Sequence, residues 1–150
     1  MIASPEAPPV GAGIVHVAWA GTGLFVAAAV TGAVVPHPFR GTAVVVSALL
    51  FGVGLAAFFW AYAVAVSRSR YDDVSIGGVY FLVGSAPRLV RVRLGIALAV
   101  QIAVAAATAA FRPFTSQAFV VLAPLFGLGL MGVWGARHGE FPPRGAEPIR

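Results

Sequence analysis

Four long stretches of this chain contain no Asp, Glu, Lys or Arg, and that feature limits the fold more than any other. The stretches are residues 7–39, 41–67, 94–111 and 113–136, and an α-helix needs roughly 20 apolar residues to cross a bilayer. Charged residues make up 10% of the sequence and hydrophobic residues 59%, whereas soluble domains carry roughly 25% charged residues. The sequence therefore predicts an all-α integral membrane protein with four transmembrane helices.

The boundaries of these helices follow from the charged and proline-rich segments between them. Residues 1–13 are predicted to be a disordered cytoplasmic tail and residues 137–150 a second cytoplasmic tail, on either side of a transmembrane domain at 14–136. The predicted spans are approximately 14–35, 42–66, 88–110 and 115–136.

Two connections between the spans carry further signals. Pro36 and Pro38 are expected to end the first span and to exclude helix in that segment. Asp72 and Asp73 suit a helix N-cap or a local ion-pair network with neighbouring arginines. The apolar stretch 74–84 that follows is too short to cross, and it is expected either to lie in the interface or to pack on the bundle.

The distribution of arginine predicts the orientation. All ten basic residues are arginine, which favours a GC-rich bacterial genome and hence a multi-pass protein of the bacterial inner (plasma) membrane. With four spans, eight arginines fall on one face of the membrane and two on the other. Positive charge accumulates on the cytoplasmic side of membrane proteins, so this eight-to-two division predicts that both termini are cytoplasmic, and it argues against nucleic acid as a partner. The predicted external face carries Arg40 and Arg112, and the other face carries Arg68, Arg70, Arg88, Arg91, Arg93, Arg137, Arg144 and Arg150.

The two halves of the chain resemble each other at an offset of 75 residues. Residues 38–55 and 113–130 are identical at eleven of eighteen positions, including the segment Phe-Gly-x-Gly-Leu in the same register. We interpret this as a parallel duplication of a two-helix hairpin. Glycine lets transmembrane helices approach closely, so the matched glycines Gly52, Gly54, Gly127 and Gly129 are predicted to pack against other helices, within this chain or in a partner. If a parallel pseudo-two-fold relates the halves, Gly52 and Gly127 are expected in equivalent surroundings.

The sequence predicts no catalytic, cofactor-binding or metal site. There is no cysteine, and all five acidic residues lie outside the predicted spans. His16, the one ionisable residue expected inside a span, is interpreted as an interfacial histidine rather than a haem or metal ligand. Gln101 and Thr108 in the third span are expected to make interhelical hydrogen bonds.

Two further groups of residues are expected to lie at the membrane interface. The three tryptophans Trp19, Trp60 and Trp134 fit an interfacial aromatic belt. Arginine side chains near span ends attract anionic lipid headgroups. Contacts with such headgroups are predicted for Arg68, Arg70, Arg88, Arg91 and Arg93.

The segment Ala136–Arg144, which reads ARHGEFPPR, and the size and span count of the chain resemble small four-helix membrane proteins of high-GC actinobacteria. That group includes an accessory factor of the cytochrome bcc–aa3 respiratory supercomplex. The resemblance implies an accessory role in the respiratory chain and in electron transport beside other integral membrane subunits, and it supplies no catalytic residues.

Two functions therefore remain. The first is a non-catalytic accessory or scaffolding subunit that packs on a larger membrane complex, with the respiratory supercomplex as the implied partner. The second is a small oligomeric transporter or channel, for which the predicted spans offer only Gln101, Thr108 and Ser47 as polar lining.

The predicted orientation can be tested with reporter fusions, because the eight-to-two arginine division places each loop on a definite side. Fusions after Arg70 and after Arg137 should report a cytoplasmic location, and a fusion after Arg40 should report an external one. A cytoplasmic signal from the Arg40 fusion would contradict the predicted four-span topology.

Overall fold

Four helices that are long and apolar enough to cross a membrane make up most of the described chain. The computed structural model describes residues 10–111 and 120–145, and of residues 36–40 the backbone alone. The described residues form no β-sheet, and the predicted all-α architecture with four membrane-length helices is confirmed. These helices are α1 (Ala12–Val34), α2 (Pro36–Arg68), α4 (Arg88–Phe111) and α5 (Pro124–His138), and a short helix, α3 (Ile76–Tyr80), lies between α2 and α4.

Some predicted boundaries fall outside the part that the structure describes. These are the first nine residues of the predicted N-terminal tail, the predicted start of the fourth span at Thr115, and residues 146–150. Within the described part, one turn at residues 120–122 precedes α5, and together they form a membrane-length segment, Val120–His138. Pro124 occupies the first turn of α5, where its missing N–H costs no hydrogen bond.

A single residue, Val35, separates α1 from α2. Its N–H donates to the carbonyl oxygen of Thr31 at 2.9 Å, and Pro36 begins the next helix. Proline suits that position because the first N–H groups of a helix have no acceptor within it. The prediction that Pro36 and Pro38 exclude helix was therefore wrong.

Helix α5 lies at the centre of the bundle, in contact with α1, α2, α3 and α4. In its membrane-length segment 61% of the residues are buried, compared with 22–28% in the segments of the other three helices. Glycine recurs along it at positions 127, 129, 132 and 135, and each of these lacks room for a β-carbon beside its neighbours. The glycines thus allow three elements, α2, α3 and α4, to approach a single helix closely.

The closest of these approaches joins the backbones of α2 and α5. A β-carbon at Gly54 would lie 2.5 Å from the backbone nitrogen and Cα of Phe126, and one at Gly129 would overlap the carbonyl oxygen of Gly54. Separations this short require that no side chain lies between the two helices, and glycine at positions 54 and 129 meets that requirement. Gly54 and Gly129 therefore lie at a helix contact, as the sequence predicts.

The other two matched glycines differ from each other. Gly127 is buried, and a β-carbon there would lie 2.8 Å from Oε1 of Gln101, whereas Gly52 is exposed and has no atom within 4 Å of that position. The predicted equivalence of Gly52 and Gly127 is therefore wrong, and Gly52 packs against no helix of this chain. The physical reason is that α5 is central and α2 peripheral, so corresponding positions on them meet different surroundings.

The connection between α2 and α4 packs on the bundle. Ser75 caps α3, because its Oγ accepts a hydrogen bond from the N–H of Gly78 at 3.0 Å. A β-carbon at Gly135 of α5 would overlap the carbonyl oxygen of Val79, so the backbone of α3 lies directly on α5. Asp72 and Asp73 do not cap this helix, which corrects one of the two roles suggested for them.

The segment after α5 folds back along this connection rather than forming a free tail. The N–H of Asp73 donates to the carbonyl oxygen of Pro142 at 2.8 Å, and the N–H of Arg144 donates to the carbonyl oxygen of Tyr71 at 2.8 Å. The N–H of Glu140 donates to the carbonyl oxygen of Ser85 at 2.9 Å. These bonds show that residues up to 145 belong to the folded unit.

The α2–α5 contact predicts different effects for two neighbouring glycines. Gly54→Leu should lower the free energy of unfolding by about 3 kcal/mol, the upper end of overpacking costs, because the new side chain would meet the backbone of α5. Gly52→Leu is the matched control, two residues away and facing open space, and should not lower stability. Unfolding in mixed micelles followed by circular dichroism measures both, and equal losses would contradict this packing.

Candidate functional site

A hydrogen-bonded bridge joins three helices inside the bundle. Gln101 lies near the middle of α4 with a relative exposure of 1%. Its Nε2 donates to Oγ1 of Thr22 on α1 at 2.7 Å, and its Oε1 accepts from the N–H of Gly127 on α5 at 3.1 Å. Gln101 therefore makes the interhelical hydrogen bonds predicted for it.

The bridge reaches the first turn of α5. No side chain of the adjoining segment caps this helix, and Gln101 provides the Gly127 N–H with a side-chain acceptor from another helix. Thr22 in turn donates to the carbonyl oxygen of Ala18 at 2.7 Å, so its hydroxyl both donates and accepts.

Thr108 and Ser47 do not extend this bridge. Thr108 donates to the carbonyl oxygen of Val104 in its own helix at 2.8 Å, and among the described residues it makes no bond to another helix. Ser47 has a relative exposure of 1% on α2. The polar groups expected to line a channel are thus buried within the packed bundle or bonded to their own helix.

A second polar cluster forms where α1 and α4 begin and α2 and α5 end, which we call the arginine-rich end. Arg68 pairs there with Oδ2 of Asp72, through Nη2 at 3.0 Å and Nε at 3.2 Å. It also donates to the carbonyl oxygens of Ala136 at 2.9 Å and Gly139 at 3.1 Å, and its guanidinium lies 5.2 Å from the centre of the Phe141 ring.

These contacts change the role assigned to Arg68. A cation that binds the last carbonyl groups of a helix satisfies their acceptors and complements the negative end of the helix dipole. Arg68 therefore closes α5 and joins it to α2, and the lipid headgroup contact predicted for it stays a prediction. Asp72 takes part in the ion pair that was the other role suggested for it.

Four other arginines of this end form no ion pair among the described side chains, and the guanidinium of Arg137 lies 5.2 Å from the centre of the Trp60 ring. Arg70, Arg88, Arg91 and Arg93 are exposed, and among the described side chains Arg68–Asp72 is the ion pair that forms. Three of the four lie in the first two turns of α4, whose first turn contains no acidic residue. Cations are unfavourable there because the helix dipole is positive at its N-terminus, so this surface attracts anions.

An open cavity of about 470 Å³ lies beside the start of α4. Ser85, Trp134, His138 and Glu140 supply its polar lining, and its apolar lining comes mainly from the residues around the first turns of α1 and α4, including Val10, Pro87, Leu89 and Val90. The ring centres of Trp134 and His138 are 5.6 Å apart. The cavity is therefore amphipathic and opens at the arginine-rich end.

Trp134 has an unsatisfied hydrogen-bond donor. Its side chain is buried, with 2% relative exposure, and Nε1 is the one buried side-chain nitrogen or oxygen without a partner in the part of the chain that the structure describes. Leaving a buried donor unpaired costs about 1–3 kcal/mol. Trp134 is thus covered by protein, whereas Trp19 and Trp60 are exposed, at 42% and 44%, and the interfacial depth predicted for all three stays a prediction.

His16 lies close to this cavity but on the outside of α1. It is exposed, and with Val10, Leu89, Val90 and Arg93 it lines a second groove of about 210 Å³. Within residues 10–111 and 120–145, no three His, Asp or Glu side chains come together as metal ligands would.

A separate apolar groove of about 330 Å³ lies between α2, α3 and α5. Tyr80 stacks on Phe58 with ring centres 4.5 Å apart and donates its hydroxyl to the carbonyl oxygen of Phe58 at 3.0 Å. Burial raises the pKa of Tyr80 above its ordinary value, so the phenol stays protonated and remains a donor. This groove is built from aromatic rings and has no free polar group.

Comparisons with protein-family models, with curated proteins and with solved structures found no match to this chain. Its function must therefore be inferred from the interior bridge, the arginine-rich end and the outward surfaces.

Sequence reasoning missed the cavity at the arginine-rich end, although one signal was available. Trp134 and His138 are four residues apart, which places both on one face of α5. Ser85 and Glu140 reach the same cavity only because residues 139–145 fold back on the α2–α4 connection, and this long-range contact has no local sequence pattern.

The Gln101 bridge predicts a coupling that a double-mutant cycle can measure. Gln101→Leu and Thr22→Val should each destabilise the bundle, and together they should show a coupling energy of about 0.6–2 kcal/mol, the range for interhelical hydrogen bonds in membranes. Thr108→Val is the matched control, because its hydroxyl bonds within its own helix, and it should show no coupling to Gln101→Leu. Additive losses for Gln101 and Thr22 would refute the bridge.

Proposed function

We propose that this protein is a non-catalytic accessory or scaffolding subunit that packs on a larger membrane complex. The observation that carries the proposal is an outward strip of small residues on α2, formed by Ala48, Gly52 and Ala56, all of which are exposed. This small-xxx-small pattern lets another transmembrane helix approach closely. Glycine lowers helix propensity by about 1 kcal/mol relative to alanine, and Gly52 gains no contact inside this chain that would offset the cost.

The interior supports an accessory role over a transporter or channel. A conduction path needs polar groups that are free to meet a substrate or ion. Gln101 is bonded to Thr22 and Gly127, and α5 occupies the centre of the bundle. The centre of the bundle, where a conduction path through this chain would run, is therefore filled by α5 and the side chains packed on it.

The resemblance of the segment 136–144 to small actinobacterial four-helix proteins makes a respiratory complex of the bcc–aa3 type the first partner to test. We also propose that both termini face the cytoplasm of a bacterial cell and that the two halves arose by duplication. The arginine division and the eleven identical positions support these two proposals. Under this orientation the arginine-rich end faces the cytoplasm.

Co-purification from native membranes tests the function. The tagged chain should retain other integral membrane subunits in mild detergent, and Gly52→Leu should reduce that retention without lowering the free energy of unfolding. Gly95→Leu on α4, where a β-carbon also meets no atom within 4 Å, is the matched control and should retain the partners. Recovery of the wild-type chain only as a homo-oligomer would instead favour the transporter or channel.

A further inference from the structure

Three features at the arginine-rich end identify a ligand for the cavity, namely an indole N–H without an acceptor, arginines without ion-pair partners and an apolar wall. Trp134 contributes a buried N–H without an acceptor, which calls for a ligand oxygen. The first turns of α4 carry Arg88, Arg91 and Arg93 without ion-pair partners among the described side chains, which calls for negative charge. We propose that the cavity binds the phosphate group of one anionic phospholipid.

The charges around the cavity favour an anion despite one carboxylate. Glu140 lines the cavity, but the residue is exposed, and its N–H is bonded to the carbonyl oxygen of Ser85. The arginines of α4 are not part of the cavity lining, and Arg93 lines the adjoining groove. At this end of the bundle they outnumber the carboxylate, and the positive end of the α4 dipole adds to them. An anionic headgroup therefore gains from binding at this position, and each basic residue near a membrane surface strengthens the attraction.

The apolar lining distinguishes a phospholipid from a free phosphate ion. Val10, Leu89 and Val90 border both this cavity and the groove that contains His16 and Arg93. The two spaces therefore follow each other along the starts of α1 and α4, with polar groups at one end and an apolar wall between them. Phosphate and ester oxygens fit the polar groups, and the glycerol and the first methylenes of the acyl chains fit the wall.

The indole N–H of Trp134 provides a direct probe. The full chain contains three tryptophans, so its nitrogen-15 spectrum in zwitterionic micelles should show three indole signals, assigned with single Trp→Phe variants. Phosphatidylglycerol should shift the Trp134 signal downfield to saturation, because the N–H gains an acceptor, and should leave those of Trp19 and Trp60 in place. Phosphatidylcholine, inorganic phosphate and glycerol phosphate should produce no saturating shift.

Variants test the same site through lipid retention in native mass spectrometry. Trp134→Phe removes the N–H and keeps an aromatic ring, and it should weaken phosphatidylglycerol binding about fivefold, the effect of one hydrogen bond. Trp19→Phe is its control and should bind normally. Replacing Arg88, Arg91 and Arg93 together by Gln should weaken binding on the order of a hundredfold.

The arginine variant has a charge-matched control. Arg70, Arg137 and Arg144 are exposed at the same end but lie outside the first turns of α4, so their joint replacement by Gln removes three charges and should retain the bound lipid. Because the three arginines of α4 are exposed, their replacement should not disturb folding, and it keeps the test valid if Trp134→Phe is unstable.

Three results would overturn the proposal. An equal shift of the Trp134 signal with inorganic phosphate would make the cavity a site for soluble phosphate. Equal shifts with phosphatidylcholine and phosphatidylglycerol would remove the role of the negative charge. Equal lipid loss from the two arginine variants would show general attraction to the surface rather than a site.

Discussion

Helix α5 can lie at the centre of this bundle only because its glycines leave room for the neighbouring helices. Lipid chains are as apolar as the side chains of the helices, so burial of apolar surface contributes little to helix association inside a bilayer. Close packing must contribute instead, and it is closest where Gly54 meets Gly129 backbone to backbone. Helices α1, α3 and α4 also contact α5, and α1 packs chiefly on α2 and α4.

The polar contacts of the bundle are concentrated on the same helix. Gln101 satisfies an N–H near the start of α5, and Arg68 satisfies carbonyl groups at its end. Both side chains come from other helices and fix α5 along its length. Because unpaired backbone groups are costly in an apolar medium, these bonds also select one register of α5 against α2 and α4.

Hydropathy predicted the number and type of the membrane-length helices, because a run of apolar residues must form a helix wherever no water is present to bond its backbone. It did not predict which helix is central, since all four runs are apolar on every side. The same limit explains the glycines. The pattern placed Gly54, Gly127 and Gly129 correctly at contacts, but Gly52 has the same local sequence as Gly127 and faces outward.

The arginine-rich end shows what local patterns do not reveal. Arg68 and Arg70 are two residues apart and were assigned one role, yet only Arg68 reaches the end of α5. Trp134 was grouped with Trp19 and Trp60 by residue type, yet of the three the fold buries only Trp134, beside the start of α1. In both cases the outcome depends on contacts between residues far apart in the chain.

The central position of α5 has a consequence for biosynthesis, because it follows α1, α2 and α4 in the chain. The ribosome therefore releases three helices into the membrane before the helix that they surround. Until α5 arrives, Oε1 of Gln101 has no Gly127 N–H to accept from, and no helix packs against Gly54. A nascent chain interrupted before Pro124 consequently lacks the acceptor contact of Gln101 with α5 and the helix that packs on Gly54.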